Sequence, residues 1–299
     1  MSTPITTGNH PRAHVPMVNK WFGIGYDQYL QWKELFDQEK VSSGAREEDV
    51  LLNGFGNLMV KSQGSPVKYV GHQQGYIATY IHVAYALGFI VTYEELRDNL
   101  YPQVAKSRAQ ALGISRRLTK ETVAADVYNN AFDSDFTGGD GVELISSSHV
   151  TDNGNQSNLI SQDFSESAVE DMIIQIMGTK DNIGQTIKLM PKSLHIPRQL
   201  KFEACRVLNS TLQNDTANNA TNAVKDLYDL KPYVNHFFDD EDAWFMRTTC
   251  PNGMKMFQRD GYNLKYDNDF PTKNALADTY DRYSFMWSDF RGISGSAGI

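Results

Sequence analysis

The sequence predicts an α+β fold, and three observations predict it. Residues 50–91 read as extended chain, with Gly54, Gly56, Gly64, Gly71 and Gly75 punctuating runs of β-branched and aromatic residues. The capping box Thr92-Tyr-Glu-Glu95 then opens a helical stretch that runs to Phe132. Beyond it helices and short strands alternate, which implies a mixed helix-and-sheet layer.

Taken in order, the first twenty residues carry Pro4, Pro11 and Pro16 among Thr, Ser, Gly and His without an apolar period, so they read as an N-terminal arm. Between Tyr26 and Phe36, the residues Tyr29, Trp32, Leu35 and Phe36 recur at helical spacing and predict a short amphipathic helix. A polar stretch, Val41 to Asp49, follows. The segment 50–91 predicts a long hairpin or meander. In its second half Tyr76, Ala78, Tyr80, His82 and Ala84 alternate with Ile77, Thr79, Ile81, Val83 and Tyr85, so both faces of this strand are apolar and both need cover. An isolated hairpin is marginal in water. A neighbouring subunit is therefore expected to cover it, with Tyr76, Tyr80, Ile81, His82, Val83, Trp21 and Trp32 as candidate contact residues.

In the helical stretch Leu96, Leu100 and Val104 make one apolar row, with interruptions expected at Pro102 and Gly113. The piece after Pro102, about 30 residues at 1.5 Å each, would span ~45 Å and serve as a spine. Loops are expected at 133–165 and 209–223, where Asn, Asp, Gly and Ser thicken, and the glycines of the extended loop and of 138–141 are candidate hinges. Ser167 and Glu170 form a second capping box ahead of Met172, Ile173, Ile176 and Met177. Ile187 and Leu189 predict a short strand, and Pro197 the first turn of a helix carrying Leu200, Phe202, Val207 and Leu208. From Trp244 to Arg291 short strands are expected, including Met254–Phe257 and Tyr283–Trp287, before a flexible tail, GISGSAGI. The aromatic residues Tyr280, Tyr283, Phe285, Trp287 and Phe290 read as the packed core of those strands rather than a stacking platform.

Composition narrows the function. A formal charge of −8 argues against a surface that grips nucleic acid. The cluster Lys106, Arg108, Arg116, Arg117 and Lys120 reads as a solvated helix face, and Asp239, Asp240, Glu241 and Asp242 as a solvated turn. Cys205 and Cys250 have no neighbouring Cys or His at metal spacing and read as buried thiols. No His pair stands at zinc spacing, and there is no G-x-S-x-G, P-loop or Rossmann fingerprint, so no catalysis, metal or cofactor is expected. No run approaches the roughly 20 apolar residues of a membrane span and the N-terminus lacks a secretory pattern, so a cytosolic chain is expected.

Five segments carry a resemblance to a known family: Gly75-Tyr-Ile-Ala-Thr-Tyr80 running into Gly88-Phe-Ile-Val-Thr92, then Asp242-Ala-Trp-Phe245, then Arg282-Tyr-Ser-Phe-Met-Trp287 leading to Asp289-Phe-Arg-Gly292. No single segment is specific. Their order and separation, from Trp21 to Ser294, resemble the Hong Kong 97-fold major capsid proteins of tailed bacteriophages, in the branch of Mu-like head subunits. The resemblance implies an arm and short helix over 1–49 and an extended β-loop over 50–91 that lies on the neighbouring subunit. It implies a peripheral domain over 92–164 and 246–299 with its spine helix at 92–132, and an axial domain over 165–245. It also implies a subunit that assembles in the host cytoplasm into hexamers and pentamers, forming an icosahedral virion head around double-stranded DNA contacted only weakly and non-specifically. Partners implied are copies of itself, a separate scaffolding protein, a portal and a decoration protein, with no membrane. Lys61 and Lys68 read as solubilising charges on the loop rather than crosslinking groups. Two alternatives stay open: a nanocompartment shell of the same fold, and an enzyme with an unrecognised site.

Overall fold

A computed structural model describes residues 30–298 except 39–40, 53, 70, 72–73, 98–100, 213–220 and 270. The expected arm, Trp21, Tyr26 to Tyr29, and the side chains of the Leu96, Leu100 and Val104 row lie outside the described residues.

The described chain begins with a single helical turn, α1 (Trp32–Leu35), whose Trp32 and Leu35 are buried, followed by the short β1 (Asp37–Gln38). Strand β2 (Arg46–Leu52) then pairs antiparallel with β3 (Gln74–Ile81). It starts inside the stretch expected to be a polar linker, because its charges find partners: Glu48 pairs with Arg46 at 2.8 Å and Asp49 with Lys255 at 2.6 Å. The strand expected over 76–85 is broken at His82, and β4 (Val83–Val91) joins a different sheet.

Helix α2 (Tyr93–Arg97) opens where the first capping box predicted, with the Glu95 N–H donating to Thr92 Oγ1 at 3.4 Å. Only half of the box forms, since the Glu95 carboxylate pairs with Arg108 at 3.4 Å instead of returning to the cap. The spine α3 (Tyr101–Asn129) has 29 residues and so spans about 43 Å, with Pro102 near its start. Gly113 does not interrupt it: the residue is buried, and packing absorbs the ~1 kcal/mol that Gly costs relative to Ala.

A tight hairpin, β5 (His149–Thr151) with β6 (Gly154–Gln156), precedes α4 (Glu166–Met177). The cap of α4 is Ser165 rather than Ser167, because Ser165 holds the extended conformation that lets its hydroxyl accept from the Ala168 N–H at 3.2 Å. The strand expected at Ile187 and Leu189 is β7 (Pro191–Pro197), which Pro197 ends instead of starting a helix. Helix α5 begins later (Lys201–Asn209), burying Ala204, Val207 and Leu208 but leaving Phe202 and Cys205 exposed. The remaining elements are α6 (Ala223–Leu227), β8 (Lys231–Asn235), β9 (Trp244–Thr248), β10 (Met254–Asn268), β11 (Ala275–Trp287) and β12 (Ile293–Ser296). Strands β10 and β11 form one long antiparallel hairpin where short strands were expected.

Two four-stranded sheets result, ordered β1-β10-β11-β4 and β12-β9-β7-β8. The first packs with α3 and α1 around Trp32, Phe36, Ala124, Tyr128, Tyr283 and Trp287. The second is covered by α4 and α5 through Val169, Met172, Ile176, Val207, Leu194 and Ile196. Strand β9 serves both cores, because alternation sends Trp244 and Met246 one way and Phe245 the other. The GISGSAGI tail is not a loose end: Ile293–Ser296 pair with β9 and are fully buried.

The residues 30–38 tie the two sheets together. Both Gln31 and Trp32 donate their N–H to the buried Glu121 carboxylate on α3 at 2.8 Å, so the spine caps α1 from outside. Arg247 on β9 donates to the Glu34 carbonyl at 3.0 Å and pairs with Asp37 at 2.5 Å, while Asp37 and Gln38 run beside β10.

Two residues of the basic cluster turn inward instead of forming a solvated face. Arg116 pairs with Asp281 of β11 at 2.7 Å, both side chains being buried. Lys120 donates to Gln258 at 2.7 Å and lies over the rings of Trp32 (4.4 Å) and Tyr283 (5.0 Å), and burial pushes its ammonium down to about 8. The expected hinge at 138–141 is a place of close packing: a Cβ on Gly139 would lie 2.7 Å from the Ile77 carbonyl oxygen.

Candidate functional site

Strands β2 and β3 form a two-stranded ribbon whose register fixes which side chains share a face. Asp49 stands opposite Ala78 and Glu47 opposite Tyr80 on one face, while Val50 opposes Ile77, Glu48 opposes Thr79 and Arg46 opposes Ile81 on the other.

The first face is anchored in the chain's own body. Tyr80 is fully buried, with its ring 4.7 Å from Phe257 and its hydroxyl 2.5 Å from Ser288 Oγ. Asp49 reaches Lys255 across the same seam; burial alone would raise its carboxyl, but hydrogen bonds from Lys255 and Ser288 hold it below the usual range. At the break between strands, His82 lies between Ser42 (2.9 Å) and Ser284 (3.0 Å). Burial and the nearby Arg282 lower its pKa, which favours the neutral ring. Tyr76, half-buried, has its phenol raised by burial and by Asp289 and Asp140.

The second face is open. Ile81 is 69% exposed, and Ile77, Val50 and Val83 are exposed with it. Beyond the ribbon every described residue from 54 to 69 is exposed, including Phe55, Met59, Val67 and Tyr69, and Leu58 and Val60 are exposed essentially completely. Large apolar side chains exposed in this number are unusual on a subunit standing alone. Burying ~500 Å² of this apolar surface would contribute on the order of 12 kcal/mol before ordering costs.

The sequence-derived contact residues therefore divide. Ile81 is on the open face of the ribbon, and Val83 is exposed at the start of β4. Tyr80, His82 and Trp32 are buried inside the subunit, and Tyr76 is half-buried. Trp21 lies outside the described residues. The residues that pattern reading passed over are Val50, Ile77, Leu58 and Val60. Alternation alone could not separate the two faces of an all-apolar strand, but the aperiodic apolar residues of the glycine-rich loop were a usable signal.

Among the described residues no three His, Cys, Asp or Glu side chains gather as metal ligands, and no helix is long and apolar enough to cross a membrane.

Comparison with known proteins places this geometry. A model of the phage capsid protein family matches residues 77–294, from the ribbon to the last strand. No match is found among curated protein sequences. Among solved structures, the capsid of an empty GTA particle is similar with a TM-score of 0.55 at 10% identity, over 89% of both chains. Mycobacterium phage Patience is similar with a TM-score of 0.54 at 12% identity, over 100% of this chain and 90% of that one. A virus-like particle from Pyrococcus furiosus gives 0.53 at 9% identity, over 95% and 99%. These likenesses show the fold, the α+β capsid fold of Hong Kong 97 type. With the family match spanning most of its length, the chain belongs to the phage capsid protein family, as a structural shell subunit of the virion capsid.

Proposed function

We propose that this subunit assembles into hexamers and pentamers that close an icosahedral head around double-stranded DNA, with loop 54–69 and the open face of the ribbon lying on the neighbouring copy. The observation that carries the reading is the division of the ribbon, anchored to its own body on one face and apolar and exposed on the other. In this reading 92–164 and 246–299 act as the peripheral domain and 165–245 as the axial domain, with β12 crossing back to complete the axial sheet. Residues 1–49 supply the arm and the short helix, with 46–49 passing into the ribbon as the start of β2. A separate scaffolding protein, a portal and a decoration protein are its partners, the acidic chain meets DNA only weakly, and it catalyses nothing. It belongs with Mu-like head subunits and assembles in the host cytoplasm. Lys61 and Lys68 keep the loop soluble.

A Leu58→Asp, Ile81→Asp variant tests this. Both residues are exposed, so the fold should lose no more than about 0.5 kcal/mol per site. The expected result is an unshifted melting transition with no shells by electron microscopy; normal particles would overturn the reading. The likeness to the Pyrococcus furiosus virus-like particle is consistent with a second, less supported reading, a same-fold nanocompartment shell. Nuclease-protected DNA inside purified particles decides for the phage head.

A further inference from the structure

Strand β4 ends the first sheet, and no described strand pairs with its outer edge. Its nine residues, Val-Ala-Tyr-Ala-Leu-Gly-Phe-Ile-Val, contain no charge and no proline, and six of them are exposed. Along its inner edge it keeps regular register with β11 from Val83 opposite Tyr283 to Val91 opposite Ala275, without a bulge. Proteins ordinarily blunt such an edge with Lys, Pro or a bulge, because it is a template for another strand. Here none of those devices stands within the strand itself, and a charge reaches its backbone only near its end, where Arg108 of the spine donates to the Ile90 carbonyl at 2.9 Å. Val83, the first residue of this strand, follows Ile81 of the ribbon across a single residue.

A matching segment exists in the same chain. Gly56 to Val60 belong to no described strand and are exposed throughout, and the five residues Gly-Asn-Leu-Met-Val are likewise without charge. Extended, they would cover about 17 Å, the length of a short strand. Alternation would then place Leu58 and Val60 on one side and Met59 on the other. Either side meets apolar neighbours at β4: Val83, Leu87 and Phe89 on one parity, Ala84, Ala86 and Ile90 on the other.

We infer that residues 56–60 of one copy add as a fifth strand to the free edge of β4 in a second copy. The occupant is a second copy because the proposed shell sets copies of this chain side by side, and because the uncharged segment 56–60 matches the uncharged residues of β4 better than a charged partner would. This rests on the shell reading and states where the loop docks.

Ala86 is exposed on the edge, so Ala86→Lys places a charge there without touching the core, while Ala86→Thr adds bulk without charge. The expected result is that wild-type chain and A86T form particles, whereas A86K stays a folded subunit or needs at least tenfold more protein to assemble. Amide hydrogen exchange reads the pairing directly: in wild-type particles, amides of 56–60 and alternate amides of 84–90 should exchange at least a hundredfold more slowly than in the unassembled L58D/I81D subunit. If the wild-type chain forms no particles, the shell reading fails. If it forms particles but A86K assembles equally well, or these amides exchange as fast as in the free subunit, strand addition alone is overturned.

Discussion

Asn158→Ala should destabilise the subunit by about 3–5 kcal/mol, read as a shift of the denaturant midpoint at unchanged slope. Asn158 is buried, and its amide is a junction between the loop after the spine and the C-terminal strand. Its oxygen accepts from the Ser146 N–H at 2.9 Å and contacts His149 Nε2 at 3.1 Å. Its NH₂ donates to the carbonyls of Leu144 (2.8 Å), Ile293 (3.1 Å) and Phe290 (3.2 Å). Truncation strands all of these groups away from water at once, and an unsatisfied buried polar group costs ~1–3 kcal/mol. Asn158→Asp should do no better, since a carboxylate cannot donate to carbonyls. A loss below about 1 kcal/mol for both variants would show that the junction does not hold β12 in place. Because total stability is typically about 5–15 kcal/mol, the expected loss would remove a large fraction of it.

Asp281→Ala is expected to have an effect of similar size by a different route. Asp281 is buried on β11, where one oxygen meets Arg116 of the spine at 2.7 Å and the other accepts from Gln258. Gln258 in turn accepts from Lys120. Removing the carboxylate takes the ion-pair partner from a buried guanidinium, at a cost of about 3–5 kcal/mol. The double variant Arg116→Met, Asp281→Leu should recover most of that loss, because apolar side chains of similar volume can replace a buried ion pair at little net cost. A double variant as unstable as the single one would mean that the pair does not act as a unit.

The parts legible in the sequence were those set by local chemistry. Thr92 caps its helix, Pro102 stands near the start of the spine, and the late aromatic strands enter the core. What could not be read depended on partners far along the chain. Tyr80 is buried because Ser288 and Phe257 receive it, and nothing within the strand distinguishes its face from that of Ile81. Arg116 and Lys120 look like solvated charges until Asp281 and Gln258 arrive from β10 and β11. The small residues of GISGSAGI suggest flexibility, yet smallness is what lets β12 fit: a Cβ on Gly295 would stand 2.7 Å from the Phe245 ring. Of the candidate contacts, Ile81 and Val83 were legible as surface only once the register with β2 and β11 was known.

The central claim is that this chain closes into shells, and electron cryomicroscopy of the purified wild-type protein tests it most directly. Closed megadalton particles, built of hexamers and pentamers with loop 54–69 resting on the adjacent subunit, are the predicted result. A homogeneous monomer or small oligomer at high concentration, with that loop still in solvent, would contradict it.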